Sequence, residues 1–499
     1  MAIKVIDLHC HSTLKPYSKS FKVTKEGGEN SKNPRKSHSV WHRKRPTLWD
    51  KIRNSILTVT KFTQSDFTTS FRGGAKVIMV SIDPMEVELV LNKKGEPQTF
   101  LGKLIKNYVI GIGLRRIDYI TDKVKDDYFF DLVKSKGYLD SLSGEENTSD
   151  EQLKYKVLTN YDSDQLETGV VNVIYSIEGG HSLNTTKTYS SIEERNREVL
   201  QRAAQLKNWD APPVWLSLAH HFPNGLCGHG KSMTGVSEKV YDQKLNPEQG
   251  LFNLGRLVCD ELLTPSLNSR RVLIDVKHMN LKSRLEYYKI AEQKGVPIVI
   301  SHGALMFRPQ PAQMTNELNF YDDELIKVAC SNGLFGVQLD QRRLKYVETN
   351  ADFPEPPELS INRKFKRTWK RKTGKRFKKR LYKRAYWVWK QVSHFAQLLD
   401  KTACIPGGDT SKFNGKIWDY VAIGSDFDGI VDPIDGFWTH QDMDRLCDYL
   451  KLNIEQYMKS KVYNNLHPSN KMDADTITAK IFFENADRFL NTHYKPNAQ

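Results

Sequence analysis

Two histidines one residue apart, His9 and His11, close the apolar run 3–8. On a strand, residues i and i+2 point to the same side. Both imidazoles can therefore reach one point just past the strand's end, which is how a metal ion is gripped. A lone histidine there would read as a packed or solvated residue; a pair closing an apolar strand does not. Further along, other apolar runs end in groups of the same chemistry: Glu178, His220, His278, His302 and Asp426. Imidazole and carboxylate donors without thiolates suit Zn2+, and also Mn2+, Fe2+ or Co2+. Five histidines and two carboxylates exceed the needs of one ion. A carboxylate bridging two ions that activate a water is the common solution, and it makes the reaction a hydrolysis.

The elements that must position these residues are eight short runs rich in β-branched and apolar side chains: 3–8, 75–83, 170–177, 214–219, 271–277, 296–301, 333–339 and 420–425. Helical patterns alternate with them, at about 98–136, 193–206, 250–263, 281–294, 321–332, 440–457 and 474–490. Continuous apolar runs mark strands buried on both faces. Eight such βα units predict a TIM (β/α)8 barrel, in which all strand ends converge on one face. A doubly wound open sheet would more often place a glycine-rich phosphate loop after the first strand, and none is present.

At 499 residues, a single barrel with large insertions accounts for the length. The insertions are placed at 12–55, 84–168 and 340–400, with the acidic, Ser/Asn-rich stretch 139–168 read as a flexible excursion. The net charge of +16 is local. Residues 363–399 carry fifteen Lys/Arg and no Asp/Glu, and without them the charge is close to zero. Within 363–390, aromatics interleave with the cations, a pattern able to grip nucleic acid or an anionic surface. The favoured reading is a basic helix whose aromatics dock on the barrel. The six cysteines are scattered without a C-x-x-C pair, as buried free thiols are. No secretory leader, apolar run of eighteen or lipidation signal is evident, so a soluble cytoplasmic protein is expected.

Residues 177–182 (Ile-Glu-Gly-Gly-His-Ser), 216–220 (Leu-Ser-Leu-Ala-His), 273–278 (Leu-Ile-Asp-Val-Lys-His), 300–302 (Ile-Ser-His) and 424–429 (Gly-Ser-Asp-Phe-Asp-Gly) resemble, in order and spacing, the membrane (renal-type) dipeptidases of the amidohydrolase superfamily. The resemblance covers about residues 3–490. It implies a binuclear zinc site in which His9, His11 and Asp426 hold one ion, His278 and His302 the other, and Glu178 bridges. It also implies that His220 stabilises the tetrahedral oxyanion and that Asp426 takes the proton of the attacking water and passes it to the leaving amine. The substrates would be dipeptides, often with a D-residue at the C-terminal position. A homodimer is a further expectation.

The chain departs from that family at three places. His11 stands where the family has an aspartate, which keeps a ligand but removes a negative charge. The arginine that grips the substrate carboxylate is missing ahead of residues 319–323 (Asn-Phe-Tyr-Asp-Asp), and Arg308 is the candidate substitute. The three insertions are large. Residues 7–12 also resemble the opening of polymerase- and histidinol-phosphatase-type phosphoesterases, but the later histidine pairs of those enzymes are absent. The alternatives are a superfamily enzyme acting on another amide, a lactone or a phosphoester, and a nucleic-acid or anionic-surface binder built on 363–390.

Overall fold

The computed structural model describes residues 3–20, 32, 35–58, 60–147, 153–233, 241–266, 270–344, 368–403 and 416–495, with the side chains of the long helix from 378 onward. Nine parallel strands form one sheet: β1 (Val5–Cys10), β2 (Ala75–Ile82), β3 (Lys154–Val157), β4 (Val170–Glu178), β5 (Trp215–Ser217), β6 (Leu273–Asp275), β7 (Val299–Gly303), β8 (Leu334–Val337) and β9 (Val421–Ile423). β1 pairs with β2 and β9, β2 pairs with β4, and β4 to β9 pair in sequence. The ring of β1, β2 and β4–β9 is thus closed, and the fold is the expected TIM barrel. Nearly every strand residue is buried, because helices cover the outside and side chains fill the inside.

β3 corrects the reading of 139–168 as a flexible excursion. Lys154–Val157 pairs with the first half of β4, Lys154 opposite Val170 and Val157 opposite Val173, while β5 takes the second half. Tyr155 is buried and donates to the Leu139 carbonyl at 2.6 Å. Residues 148–152 lie outside the described ones.

The insertions are structured rather than loose. From 12–55, Tyr17, Val40 and Trp41 enter the main core. From 84–168, the helices Phe100–Ile110 and Leu114–Asp122 and the first residue of the helix Tyr128–Asp140 build a second small core around Val90, Ile112, Ile117 and Ile120, while Phe129, Leu132 and Leu139 join the main core. Arg116 forms a buried two-point pair with Asp131, whose carboxylate also accepts from the Tyr17 hydroxyl.

The helix Thr368–Ala403 connects β8 to β9 and is therefore the crossover that a parallel pair requires, not merely an addition. Trp387, Trp389 and Phe395 are buried in the main core, and Trp389 stacks on Trp418 at 6.0 Å between ring centroids. Docked aromatics are what the sequence reading favoured for 363–390. Residues 363–367 lie outside the described residues, as do the side chains of Trp369 and Phe377. The five described cysteines are free thiols, and Cys404 is not described. Among the described residues, no helix is long and apolar enough to cross a membrane.

Candidate metal centre

All the strand-end groups singled out above, Arg308 apart, meet at the C-terminal mouth of the barrel. His9 lies on β1 and His11 just beyond it. Glu178 ends β4, and His302 lies on β7. His220, His278 and Asp426 follow β5, β6 and β9. The Glu178 carboxylate is the hub. Its Oε2 lies 3.0 Å from His11 Nε2, 3.4 Å from His9 Nε2 and 3.7 Å from His220 Nε2. Its Oε1 lies 3.0 Å from His278 Nε2 and 3.7 Å from His302 Nε2. Asp426 repeats the division. Its Oδ1 lies 3.5 Å from His11 and 3.8 Å from His9, and its Oδ2 lies 3.8 Å from His302. Each carboxylate therefore turns one oxygen to the His9–His11 side and the other to the side of His302.

The frame beneath is held by two buried aspartates. Asp7 accepts from the Ser425 N–H at 2.8 Å and from the Ser425 hydroxyl, and faces His440 Nε2 at 2.6 Å. Asp275 accepts from the hydroxyls of Ser217 and Ser301 at 2.6 and 2.7 Å. The first joins β1 to the chain after β9, and the second joins β5, β6 and β7, so the ligand-bearing ends cannot splay. Asp426 and His278 both adopt left-handed backbone, at φ +60° and +67°. Such conformations cost of order 1–3 kcal/mol each for residues with a Cβ, and they concentrate where a site needs a particular aim. Gly179 sits at φ +96°, and a Cβ there would fall 2.3 Å from the His181 ring, so the Glu-Gly-Gly-His sequence has a steric reason.

Burial and charge set the protonation states. Burial alone would raise the Glu178 carboxyl, but the surrounding histidines, His9 and His220 foremost, hold it well below the usual carboxylate range. Burial lowers His278 to about 3 and pushes His302 well below the usual imidazole value. Both are thus neutral at pH 7, the form that ligates a metal. Burial would lower His11 as well, but Asp426 and Glu178 carry it well above the usual value. His9 Nε2 and His11 Nε2 lie 3.1 Å apart and both face Glu178 Oε2. The Nδ1 atoms of His9, His11 and His278 are buried without a hydrogen-bond partner. Ring nitrogens converging on shared carboxylate oxygens are a donor set that fits divalent cations, whose binding would displace the proton that the two carboxylates hold on His11.

A second group stands beside the first around His220, and its two acids, Glu86 and Asp83, are not marked in the sequence. His220 Nδ1 lies 2.9 Å from Glu86 Oε2. Glu86 also accepts from the backbone N–H of Phe222 at 3.0 Å and of His221 at 3.3 Å. Asp83 Oδ1 lies 3.9 Å from both His220 and His181 and has no hydrogen-bond partner. His181 Nε2 donates to the Pro84 carbonyl at 2.7 Å. Burial would lower His220, but Glu86, then Glu178 and Asp83, raise it to about 10. A third group links Lys277, Gln338 and Asp426. The Gln338 amide donates to Asp426 Oδ2 at 2.7 Å, and its oxygen faces Lys277 Nζ at 3.4 Å. Burial drops the Lys277 ammonium to about 7.

Arg308 stands apart. It is exposed, and its guanidinium lies over the Tyr321 ring at 5.7 Å rather than against the cluster. A cavity of about 200 Å³ opens beside His11 and Asp428, lined also by Lys15, Lys19, Lys44 and Lys61.

No family model and no curated protein matches the chain. Several solved structures are similar to it. A metallopeptidase described as dipeptidase AC is 12% identical, with a TM-score of 0.47 and 99% of each chain covered. A metallopeptidase from Rhodobacter sphaeroides, liganded with a phosphinate mimic of the dipeptide L-Ala-D-Ala, is 13% identical, with a TM-score of 0.46, covering 99% of this chain and 100% of that one. A probable dipeptidase from Pseudomonas aeruginosa is 14% identical, with a TM-score of 0.40, covering 86% and 88%. At such identities and scores these likenesses carry no argument about activity, and the chemistry rests on the site itself.

Proposed function

We propose that the chain is a binuclear metal-dependent hydrolase that cleaves dipeptide-like amides. The observation that carries this reading is the position of Glu178. One buried carboxylate offers Oε2 to His9 and His11 and Oε1 to His278 and His302, so it would hold two ions, one on each side. In this reading His9, His11 and Asp426 hold one ion, and His278 and His302 the other. Nitrogen and carboxylate donors without a thiolate suit Zn2+, and also Mn2+, Fe2+ or Co2+. When bound, the two ions supply Lewis-acid polarisation of the scissile carbonyl and lower the pKa of the attacking water.

The chain's own residues do the remainder. Asp426 accepts the proton of the attacking water, and the Gln338 amide fixes the orientation of its Oδ2. His220, held in its charged form, donates through Nε2 to the oxyanion that develops as the carbonyl becomes tetrahedral. Glu86 aims His220 through the ion pair at its Nδ1. Asp426 then returns the proton to the leaving amine. The strand-end motifs resemble those of the renal-type dipeptidases, which supports dipeptides as the substrate class. The absent arginine and the outlying Arg308 leave a free substrate carboxylate without its usual partner. The direct test is a screen of L,L- and L,D-dipeptides, each with its C-terminally amidated counterpart, with added Zn2+, Mn2+ or Co2+. Hydrolysis of any supports the reading, and an amidated substrate turned over equally well assigns the missing arginine to substrate choice. No hydrolysis of any dipeptide with any metal overturns it.

A further inference from the structure

Among the described residues, ten of the sixteen exposed large hydrophobic side chains lie on two helices. Leu48–Leu57 presents Leu48, Trp49, Ile52 and Ile56, and Phe100–Ile110 presents Phe100, Leu101, Leu104 and Ile105 among others. Trp49 is 74% exposed and Phe100 70%. The spacing puts each set in one stripe along its helix, so both helices turn an apolar face outward, the reverse of what core packing asks. The helices adjoin. The Arg53 guanidinium lies 5.9 Å from the Tyr108 ring centroid and the Lys61 ammonium 4.3 Å from it. The combined face borders the barrel mouth, because Lys61 and Gly111 line the cavity beside His11 and Asp428.

Cations outnumber acids around this face. The groove along Leu48, Ile52 and Ile56 is lined by six cations, Arg43, Lys44, Arg45, Lys51, Arg380 and Arg445, against Asp435 and Asp442. Both aspartates are paired with arginines, Asp435 with Arg384 and Asp442 with Arg445. Asp50, the acid of the first helix, is buried and caps that helix through Thr47. Phe100–Ile110 contains no acidic residue. Arg380 belongs to the helix Thr368–Ala403, whose first seventeen residues contain ten Lys/Arg and no Asp/Glu.

Outward aliphatic and aromatic stripes bordered by cations are the chemistry of a helix lying in the headgroup layer of an anionic bilayer. A second copy of this chain would bring the same cations face to face. Nucleic acid would leave the aliphatic stripe without a partner. We infer that the helices Leu48–Leu57 and Phe100–Ile110 form a peripheral docking surface for an anionic lipid bilayer, with the barrel mouth at its edge. This inference is independent of the reading of the metal centre.

The test uses the full chain and flotation with vesicles of phosphatidylcholine containing about one third phosphatidylglycerol, against phosphatidylcholine alone. The double variant Trp49→Asp/Phe100→Asp changes two exposed side chains that are not part of the metal cluster, and its melting temperature reports folding. The expected result is flotation with anionic vesicles only, weakened by salt and reduced at least about tenfold in the variant at an unchanged melting temperature. Three results would overturn the inference. One is no flotation of the wild type at low salt. Another is equal flotation of the variant. The last is a dimer or an oligonucleotide complex that the variant abolishes while vesicle binding is absent.

Discussion

Replacing Glu86 by glutamine separates an aimed histidine from a merely buried one. His220 Nδ1 and Glu86 Oε2 are 2.9 Å apart, on side chains 5% and 3% exposed. Burial pulls the imidazole down, and Glu86, Glu178 and Asp83 together carry it from 6.5 to about 10. That rise corresponds to roughly 5 kcal/mol in favour of the charged ring. Ions bound on Glu178 would neutralise its charge, leaving Glu86 as the principal counter-charge. Glu86 is the largest of the raising influences, so its loss lowers the His220 pKa. Glutamine keeps the size and an acceptor for the Phe222 N–H, so the fold should persist. Steady-state dipeptide hydrolysis should then lose its alkaline limb at lower pH than the wild type. At neutral pH kcat should fall about 10- to 100-fold with metal content unchanged, as when the partner that orients a site histidine is removed. The linkage has a definite sign. A folded pKa raised above 6.5 gives stability fully present below 6.5 and lost as pH rises through about 10. The variant's unfolding free energy should therefore depend less steeply on pH across the alkaline part of that window. Wild-type kcat with an unmoved alkaline limb would refute the role given to Glu86.

Three further outcomes follow from the geometry. His11→Asp should retain both ions by elemental analysis but move the acid limb of kcat/KM upward, because an added negative charge disfavours deprotonation of the attacking water. Chelation should lower the melting temperature, and re-adding metal at about one hundred times its Kd should restore roughly 2.7 kcal/mol; a chelator-insensitive melt would speak against bound ions. Gly336→Ala and Gly424→Ala would each set a Cβ about 2 Å from the Ser301 carbonyl oxygen, next to His302, so each should cost roughly 3 kcal/mol in denaturant unfolding.

Much of this molecule is legible in its sequence because the barrel buries its strands on both faces. A strand so placed must be an unbroken apolar run, and a polar side chain at its end then stands out. His9, Glu178, His220, His278, His302 and Asp426 all announce themselves in that way. β3 does not, because Lys154–Val157 alternates buried and exposed side chains and lies within an acidic stretch. The runs around β5, β6 and β9 are longer than the three-residue strands they contain, since apolar residues continue into the bends that carry the ligands. Glu86 and Asp83 are silent in sequence. They lie more than 130 positions from His220, and only the neighbouring places of β2, β4 and β5 in the ring bring them to it. The left-handed turns at His278 and Asp426 are equally silent, for neither residue is a glycine that would mark them. Arg308 is marked in the sequence only by its place in the loop after β7, and loop position says little about where a long side chain ends.

The two-ion reading of Glu178 is tested most directly by elemental analysis of gently purified protein, paired with dipeptide hydrolysis, for the wild type and Glu178→Gln. The expected result is about two divalent ions per chain with turnover in the wild type, and loss of at least one ion together with turnover in the variant. Absence of stoichiometric metal in the wild type, with no hydrolysis restored by Zn2+, Mn2+ or Co2+, would contradict it. So would a Glu178→Gln variant that keeps both ions and full activity.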